Sequence, residues 1–581
     1  MGFPSEAYYA APAYDETMTT QDQSPSRPLT VRPPLLLHLW CALLVGIVFW
    51  PFLSTLFSYA GPGSATPSLI LRDMVVPHSM ALNDLATARD GLPRAVPQDT
   101  VLAWLSPLCP PPVTVSVLML AGGYVGALGA AALVRQVVGR DGDSGDSRRG
   151  AWVAGALAAA VTLWNPYVAE RLLQGHWSVV LAGVLLPAVA VSAMRRSPPS
   201  LVALVVLLLV SALTPTGLIL ATLTAAVAAL VGAAPRRRVF AVVGIGTVGT
   251  VLSLPWVIPT LVTAGADATR TDAAGAALFA AGAEPGVGAL GALAGLGGIW
   301  NADAIPASRE ALAPVSTGAG VVLALAAVVA AVLLSRHGRL RGAPLVWLAL
   351  ASVVVPALMS TAPGITVTGW FLEYVPGAGL VRDSQKFVVL ALPGLIVLLA
   401  SAVTPVVQAG RRTAAACSTA VLALVWVAVP VLPRDLADLA PVQLDGVYDE
   451  LADQVTTWQD DHGTTARTLL WPPGNYRMIG DRPALDPALK MLPGRPLDPG
   501  YLIVDGALVD GDPDTVAALN ELASGEDTLA DRGIDLVVVE DGGAGGNGGN
   551  GGVDTRGMAD VLREHDELWS SGRWTLYAVD R

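Results

Sequence analysis

The sequence predicts an α-helical multispanning membrane bundle of about eleven transmembrane helices, with an extracytoplasmic α/β domain at its C-terminal end. Three observations predict it. The 581 residues are 53% hydrophobic and 14% charged, with a mean hydropathy of +0.55, whereas soluble domains carry about 25% charged residues. Apolar runs near the ~20 residues needed to cross a bilayer recur between residues 35 and 432. From Pro433 the composition switches: 28 acids stand against 11 bases, a balance of −17 in a chain of net charge −12. The remainder is mildly basic.

Residues 1–34 are polar and rich in Pro, Ser, Thr and Asp, so they cannot bury a core and read as a disordered cytoplasmic tail. They lack the n-region and cleavage site of a signal peptide, which makes the first apolar run a retained anchor. Spans are expected at about 35–59, 113–135, 151–166, 177–194, 239–262, 315–334, 344–360, 386–408 and 413–432. The run 200–234 is broken by Thr214-Pro215-Thr216-Gly217. Basic clusters at Arg135/Arg140/Arg148/Arg149, Arg195/Arg196, Arg236/Arg237/Arg238, Arg336/Arg339/Arg341 and Arg411/Arg412 decide how to count it. Two spans there put every cluster on the N-terminal, cytoplasmic side, as the positive-inside rule requires. The transmembrane domain is then 35–432, with outer loops 60–112, 165–176, 264–314 and 361–385, and the C-terminal domain 433–581 lies outside.

Within that last part, residues 442–458 read as a helix, while 466–471, 534–540 and 573–579 read as strands. The glycine-rich segment 542–552 reads as a flexible loop tip. Cys41 and Cys417 lie in apolar runs and Cys109 stands alone in a loop, so no disulfide framework or zinc site follows. No nucleotide-binding loop is present, and nothing points to nucleic acid. The apolar cores of the spans contain no Asp, Glu, Lys or Arg. Ion-coupled transporters usually place ionisable groups at membrane depth, whereas this chain gathers its polar chemistry at the outer rim.

Three constellations stand out there. The first outer loop carries Arg72-Asp73, then His78, Asp84, Asp90, Arg94 and Asp99. A carboxylate held at the water–lipid boundary suits a general base on a sugar hydroxyl. Asp73, flanked by apolar residues, is the first choice and Asp84 the weaker alternative. Asp73, His78 and Asp84 are also the candidates for a divalent cation such as Mg or Mn, although no recognised ligand spacing appears.

The second constellation is NPYVAERLLQGHWSVV, residues 165–180. Pro166 can open a helix, and Tyr167, Arg171 and Gln174 then share a face, with Glu170 beside them. Gly175 ends the helix before His176-Trp177. An interfacial belt accounts for Tyr167, Trp177 and Arg171, but a plain hairpin needs none of Glu170, Gln174 and His176. The third is GLVRDSQKFVVL, residues 379–390. A helix there puts Arg382 and Lys386 on one side, with Asp383 or Ser384 as its cap. Two cations and free helix N–H groups suit a lipid-linked phosphate or diphosphate.

Together these features resemble a GT-C-type glycosyltransferase. The architecture of nearly the whole chain carries the resemblance, with Asp73 and the Arg382/Lys386 pair as its residue-level support. The paired acidic signature often found after the first span in that family is replaced here by Arg72-Asp73. The chain also resembles actinobacterial multispanning membrane proteins that share NPY-x-x-ER-x-x-x-G-x-W and RD-x-x-KF. The GT-C resemblance implies a sugar moved from a polyprenyl-phosphate donor to a cell-envelope glycan, lipid or protein acceptor at the outer face of a bacterial plasma membrane. It further implies Asp73 as base and Arg382, Lys386, Arg171 and His176 around the donor phosphate, with Glu170, Gln174, Tyr167 and Asp383 in support. Trp458, Trp471, Tyr476 and Tyr501 are candidates for stacking on an acceptor glycan. Two rival readings are a lipid-linked saccharide flippase or exporter, which should show internal repeats and a polar path, and a non-enzymatic envelope scaffold.

Overall fold

The structure is a computed structural model that describes residues 33–61, 66–89, 95–138, 145–231, 235–264, 273–282, 288–336, 342–472, 476–500, 502–504, 507–509, 511–541 and 556–580. The polar tail up to residue 32, Asp90, Arg94, Tyr501 and the loop tip 542–552 lie outside the described residues.

Among the described residues, six helices are long and apolar enough to cross a membrane: Pro111–Val138, Arg149–Gln174, Trp177–Arg195, Arg236–Val262, Ser384–Val407 and Arg411–Leu439. The number rises to eight if each of two bent pairs is one span. Leu35–Val48 with Trp50–Ala60 bends by 82°, and Ala343–Met359 with Ala362–Tyr374 by 90°. Eleven spans were expected, and the difference lies mainly in the run 200–234. Its two helices, Pro198–Ser211 and Pro215–Ala228, have 14 residues each, or about 21 Å at 1.5 Å per residue, against an apolar core of ~30 Å.

Trp177–Arg195 is the central helix. It is apolar all round, as a helix buried on every side must be, and its residues from Trp177 to Ala193 are buried. Pro111–Val138 packs on it along Gly122, Gly126 and Gly129. A Cβ on Gly126 would stand 2.2 Å from the Val184 carbonyl oxygen, so this small-residue stripe lets the two backbones meet. Arg236–Val262 is peripheral and leaves Val239, Phe240, Val243 and Val251 exposed.

The C-terminal part is an α/β region built on a five-stranded mixed sheet. Strand Arg467–Trp471 runs parallel to Arg495–Pro496 on one side and to Leu536–Glu540 on the other. Trp574–Ala578 is antiparallel to Leu536–Glu540, and Asp566–Ser571 closes the edge. The strict alternation of a strand divides the sheet into two apolar faces. Leu536 and Val538 pack with helix Val447–His462, and Val537 and Val539 pack with helices Pro513–Ser524 and Arg556–Leu562.

The first loop is stitched to this region. It forms a two-stranded hairpin, Leu69–Leu71 with Met74–Val76, turning at Arg72-Asp73. Ser68 exchanges both backbone hydrogen bonds with Val442, and Arg72 does so with Pro483 and Leu485. Ile70 and Val75 share a small core with Ala484, beside the hairpin Tyr476–Ile479/Arg482–Leu485. His78 reaches Asp449 at 2.8 Å, and Asp99 pairs with Lys490 at 3.0 Å.

Candidate functional site

The outer segment 165–176, read as holding a helix opened by Pro166 and ended by Gly175, carries the buried helix Pro166–Gln174. Asn165 caps it by accepting from the Val168 N–H at 3.0 Å, and Pro166 occupies the first turn, where its missing N–H costs nothing. Gly175, at φ +98°, ends it. The Gly175 N–H donates to the Leu172 carbonyl and the His176 N–H to that of Arg171, a Schellman closure. Gly175 is required twice over, because a Cβ there would also stand 2.1 Å from the Met74 amide nitrogen. The helix end thus presses on the hairpin turn that carries Asp73.

An interfacial belt does not describe this segment: Tyr167 and Trp177 are 1% and 2% exposed, inside the protein. Every polar side chain of the helix has a long-range partner instead. The Tyr167 hydroxyl donates to the Lys386 carbonyl at 2.9 Å. Glu170 accepts from the Ile299 N–H at 3.1 Å and from Gln385 at 3.4 Å, with Arg309 at 3.8 Å. Arg171 makes a two-pronged pair with Asp383, hydrogen-bonds Gln385 and donates to His176 Nδ1 at 3.1 Å. Gln174 accepts from Asn301 at 2.7 Å and donates to Asp73 at 3.0 Å.

Asp73 is where these contacts converge. Its Oδ2 accepts from Gln174 and from His176 Nε2, each at 3.0 Å, and its Oδ1 accepts from the Tyr476 hydroxyl at 2.8 Å. The tautomer of His176 follows from its neighbours. Arg171 can only donate, so Nδ1 is the acceptor and the ring proton sits on Nε2, facing the carboxylate. Burial pushes the Asp73 carboxyl up, but the hydrogen bonds from His176, Gln174 and Tyr476 outweigh it and hold Asp73 below the ordinary carboxylate range. The side chain remains 28% exposed. It is an ionised carboxylate, fixed from three directions and still accessible.

The turn behind it is strained. Arg72 sits at φ 49°, in the left-handed region that a non-glycine residue enters at a cost of about 1–3 kcal/mol. Its guanidinium is tied to the carbonyls of Leu173 and Asp303, which hold the turn in place.

Other expected site residues go elsewhere. Asp84 opens the short helix Asp84–Thr87, gives its N–H to the Gly494 carbonyl, and lies 4.0 Å from Arg89. With His78 on Asp449 and Asp73 on its own partners, the suggested Asp73/His78/Asp84 metal set is not assembled. Among the described residues no group of three His, Cys, Asp or Glu side chains is placed to hold a metal ion. The segment 379–390 is two 3₁₀ turns, Ala378–Val381 and Ser384–Leu390, rather than one α-helix. Asp383 makes no side-chain cap, because its carboxylate is engaged by Arg171.

Arg171, expected at the donor phosphate, is 0% exposed and committed to Asp383. Arg382 lies over the Phe279 ring at 4.0 Å. The Lys386 ammonium, half-buried and 5.8 Å from the Phe387 ring, has no hydrogen-bond or ion-pair partner among the described residues. Trp471 is part of the core of the α/β region and Trp458 stacks on His462. Tyr476 contacts Asp73 directly. Sequence reasoning missed Asn301 and Arg309, which carry no local pattern and lie in the loop 264–314.

A bundle of apolar helices, with a carboxylate on the first inter-helix hairpin and an α/β region packed against that hairpin, has a GT-C-like fold. The chain is similar in structure to the arabinofuranosyltransferase AftD from mycobacteria, with a TM-score of 0.51 and 14% sequence identity over 93% of this chain. It spans 41% of the length of that protein. No protein-family model and no curated protein matches the sequence.

Proposed function

We propose that the chain transfers a sugar from a polyprenyl-phosphate donor to a cell-envelope glycan, lipid or protein acceptor at the outer face of a bacterial plasma membrane. The N-terminus is then cytoplasmic and the α/β region lies outside. The observation that carries the reading is the Asp73 carboxylate, kept ionised by His176, Gln174 and Tyr476 while 28% exposed. A general base must be ionised, aimed and reachable, and this one is all three.

The reaction is a direct displacement. Asp73 accepts the proton of the acceptor hydroxyl as its oxygen forms the new bond to the anomeric carbon. The bond from that carbon to the donor phosphate breaks, and polyprenyl phosphate leaves with the electron pair. Lys386, with Arg382, stabilises the leaving phosphate, which needs no separate general acid. Arg171 acts through others, holding Asp383 next to those cations and fixing the His176 proton toward Asp73. The anomeric configuration inverts. The neighbour's name, arabinofuranosyltransferase, makes a pentosyl donor the first class to test, ahead of hexosyl donors.

The test is transfer from radiolabelled polyprenyl-phosphate sugars by the purified full-length chain. Wild-type protein should transfer label, and Asp73→Asn should lose at least about 100-fold of the rate. Full transfer by Asp73→Asn would reject the assignment.

A further inference from the structure

Tyr476 lies 403 residues beyond Asp73 in the sequence, on a hairpin of the α/β region, yet its hydroxyl stands 2.8 Å from the Asp73 carboxylate. From the geometry we infer that Tyr476 is a positioning residue for Asp73, so that the α/β region completes the reaction centre instead of only covering it. The inference rests on the reading of Asp73 as the base.

Two observations carry it. The first is that Tyr476 is anchored from the far side. Its neighbour Arg477 is buried and pairs with Asp486 at 3.1 Å and with Glu540 at 3.4 Å. Glu540 ends the central strand Leu536–Glu540 and also pairs with Arg573 at 2.8 Å. Arg477 further donates to the Pro472 carbonyl at 2.9 Å. The hairpin that presents the hydroxyl is therefore fastened to the sheet by a charged network. The second is that the hairpin is fastened to the Asp73 turn as well. Tyr476 opposes Leu485, whose N–H donates to the Arg72 carbonyl at 3.0 Å. A phenol held between two fixed backbones has little freedom to leave the carboxylate.

The chemistry fits a positioning role. Asp73 is faced by His176 and Gln174 from the membrane helices, by Tyr476 from the α/β region, and by Arg72 beside it in the turn. Burial first, then the charge and hydrogen bond of Asp73, push the Tyr476 phenol above its ordinary range, so it stays protonated and donates. His176 and Gln174 both bind Oδ2, whereas Tyr476 binds Oδ1. Without the phenol the carboxylate is held at one oxygen alone and can rotate.

The variant is Tyr476→Phe, which keeps the ring packing and removes the hydroxyl. In the full-length protein the protonation of Asp73 is read by carbodiimide modification across pH, with mass spectrometry of the Asp73 peptide. Tyr476→Phe should move the midpoint upward by about one pH unit, the loss expected for one hydrogen bond to a charged group. With a transferable donor in hand, kcat should fall about tenfold, with an unchanged donor KM and the variant still folded at the assay temperature. An Asp73 midpoint and kcat both equal to wild type would overturn the inference. Asp73→Asn separates the two claims: its inactivity beside an unaltered Tyr476→Phe removes only the positioning role, whereas its full activity removes the assignment of Asp73 itself.

Discussion

Helix Pro166–Gln174 and the turn Ser384–Leu390 lie against each other at the site, and each brings a basic residue that the sequence marks as a phosphate ligand. Their surroundings separate them. Arg171 is fully buried and its guanidinium holds Asp383, Gln385 and His176. Lys386 is half-buried with no such partner among the described residues. A buried cation whose two terminal nitrogens are both engaged organises the protein, while a reachable ammonium is available to a ligand. The same contrast runs through the acids: Glu170 is buried against Ile299, Gln385 and Arg309, whereas Asp73 keeps an open side.

The contrast makes predictions that differ in kind as well as size. Asp73→Asn keeps the shape of the turn but removes the proton acceptor, so transfer should fall by about 10²–10⁴-fold, far more than the modest drop in melting temperature from the lost carboxylate network; a steady-state rate assay beside a thermal melt reads both. Arg171→Leu leaves Asp383 buried without its partner and should lose about 3–5 kcal/mol of stability, seen as a large drop in melting temperature in detergent. If that variant melts like wild type, Arg171 is not the organising cation.

Gly175→Ala places a methyl group against the Met74 amide and forbids the left-handed turn, which should cost about 2–4 kcal/mol. It should also move Asp73, so the rate should fall even at temperatures where the variant remains folded. Lys386→Ala should raise the donor KM by about 10–100-fold with little change in melting temperature, the opposite signature to Arg171→Leu. The smallest effect is on pH. Because Asp73 is held below its ordinary value, its network stabilises the folded chain above the unfolded carboxylate value, near ~4. That contribution is lost as pH falls through the lower folded value. The rate should therefore hold from neutral pH to about pH 5, and an acid limb above that pH would contradict the hydrogen-bonding account.

Much of the local structure was legible in the sequence. Pro166 and Gly175 are start and stop signals whose physics is local, and they bound the helix as expected. The strands of the α/β region follow from apolar runs such as Ile534–Glu540. Asp73 stood out because apolar residues flank it. What stayed hidden depends on contacts far apart in the chain. The Arg171–Asp383 pair joins positions 212 residues apart, and Tyr476 meets Asp73 across 403. No periodicity encodes either. The bends of 82° and 90° were hidden for another reason: composition counts apolar length and is blind to direction. The expected α-helix at 379–390 is two 3₁₀ turns, and Asp383, one of its two expected caps, is held by Arg171 instead.

The most direct test of the account measures donor binding and transfer side by side for Asp73→Asn, using a polyprenyl-phosphate pentose and the full-length chain. The account predicts binding within about twofold of wild type, because the phosphate is held by Lys386 and Arg382, with transfer reduced by at least about 100-fold. Transfer at the wild-type rate would contradict it.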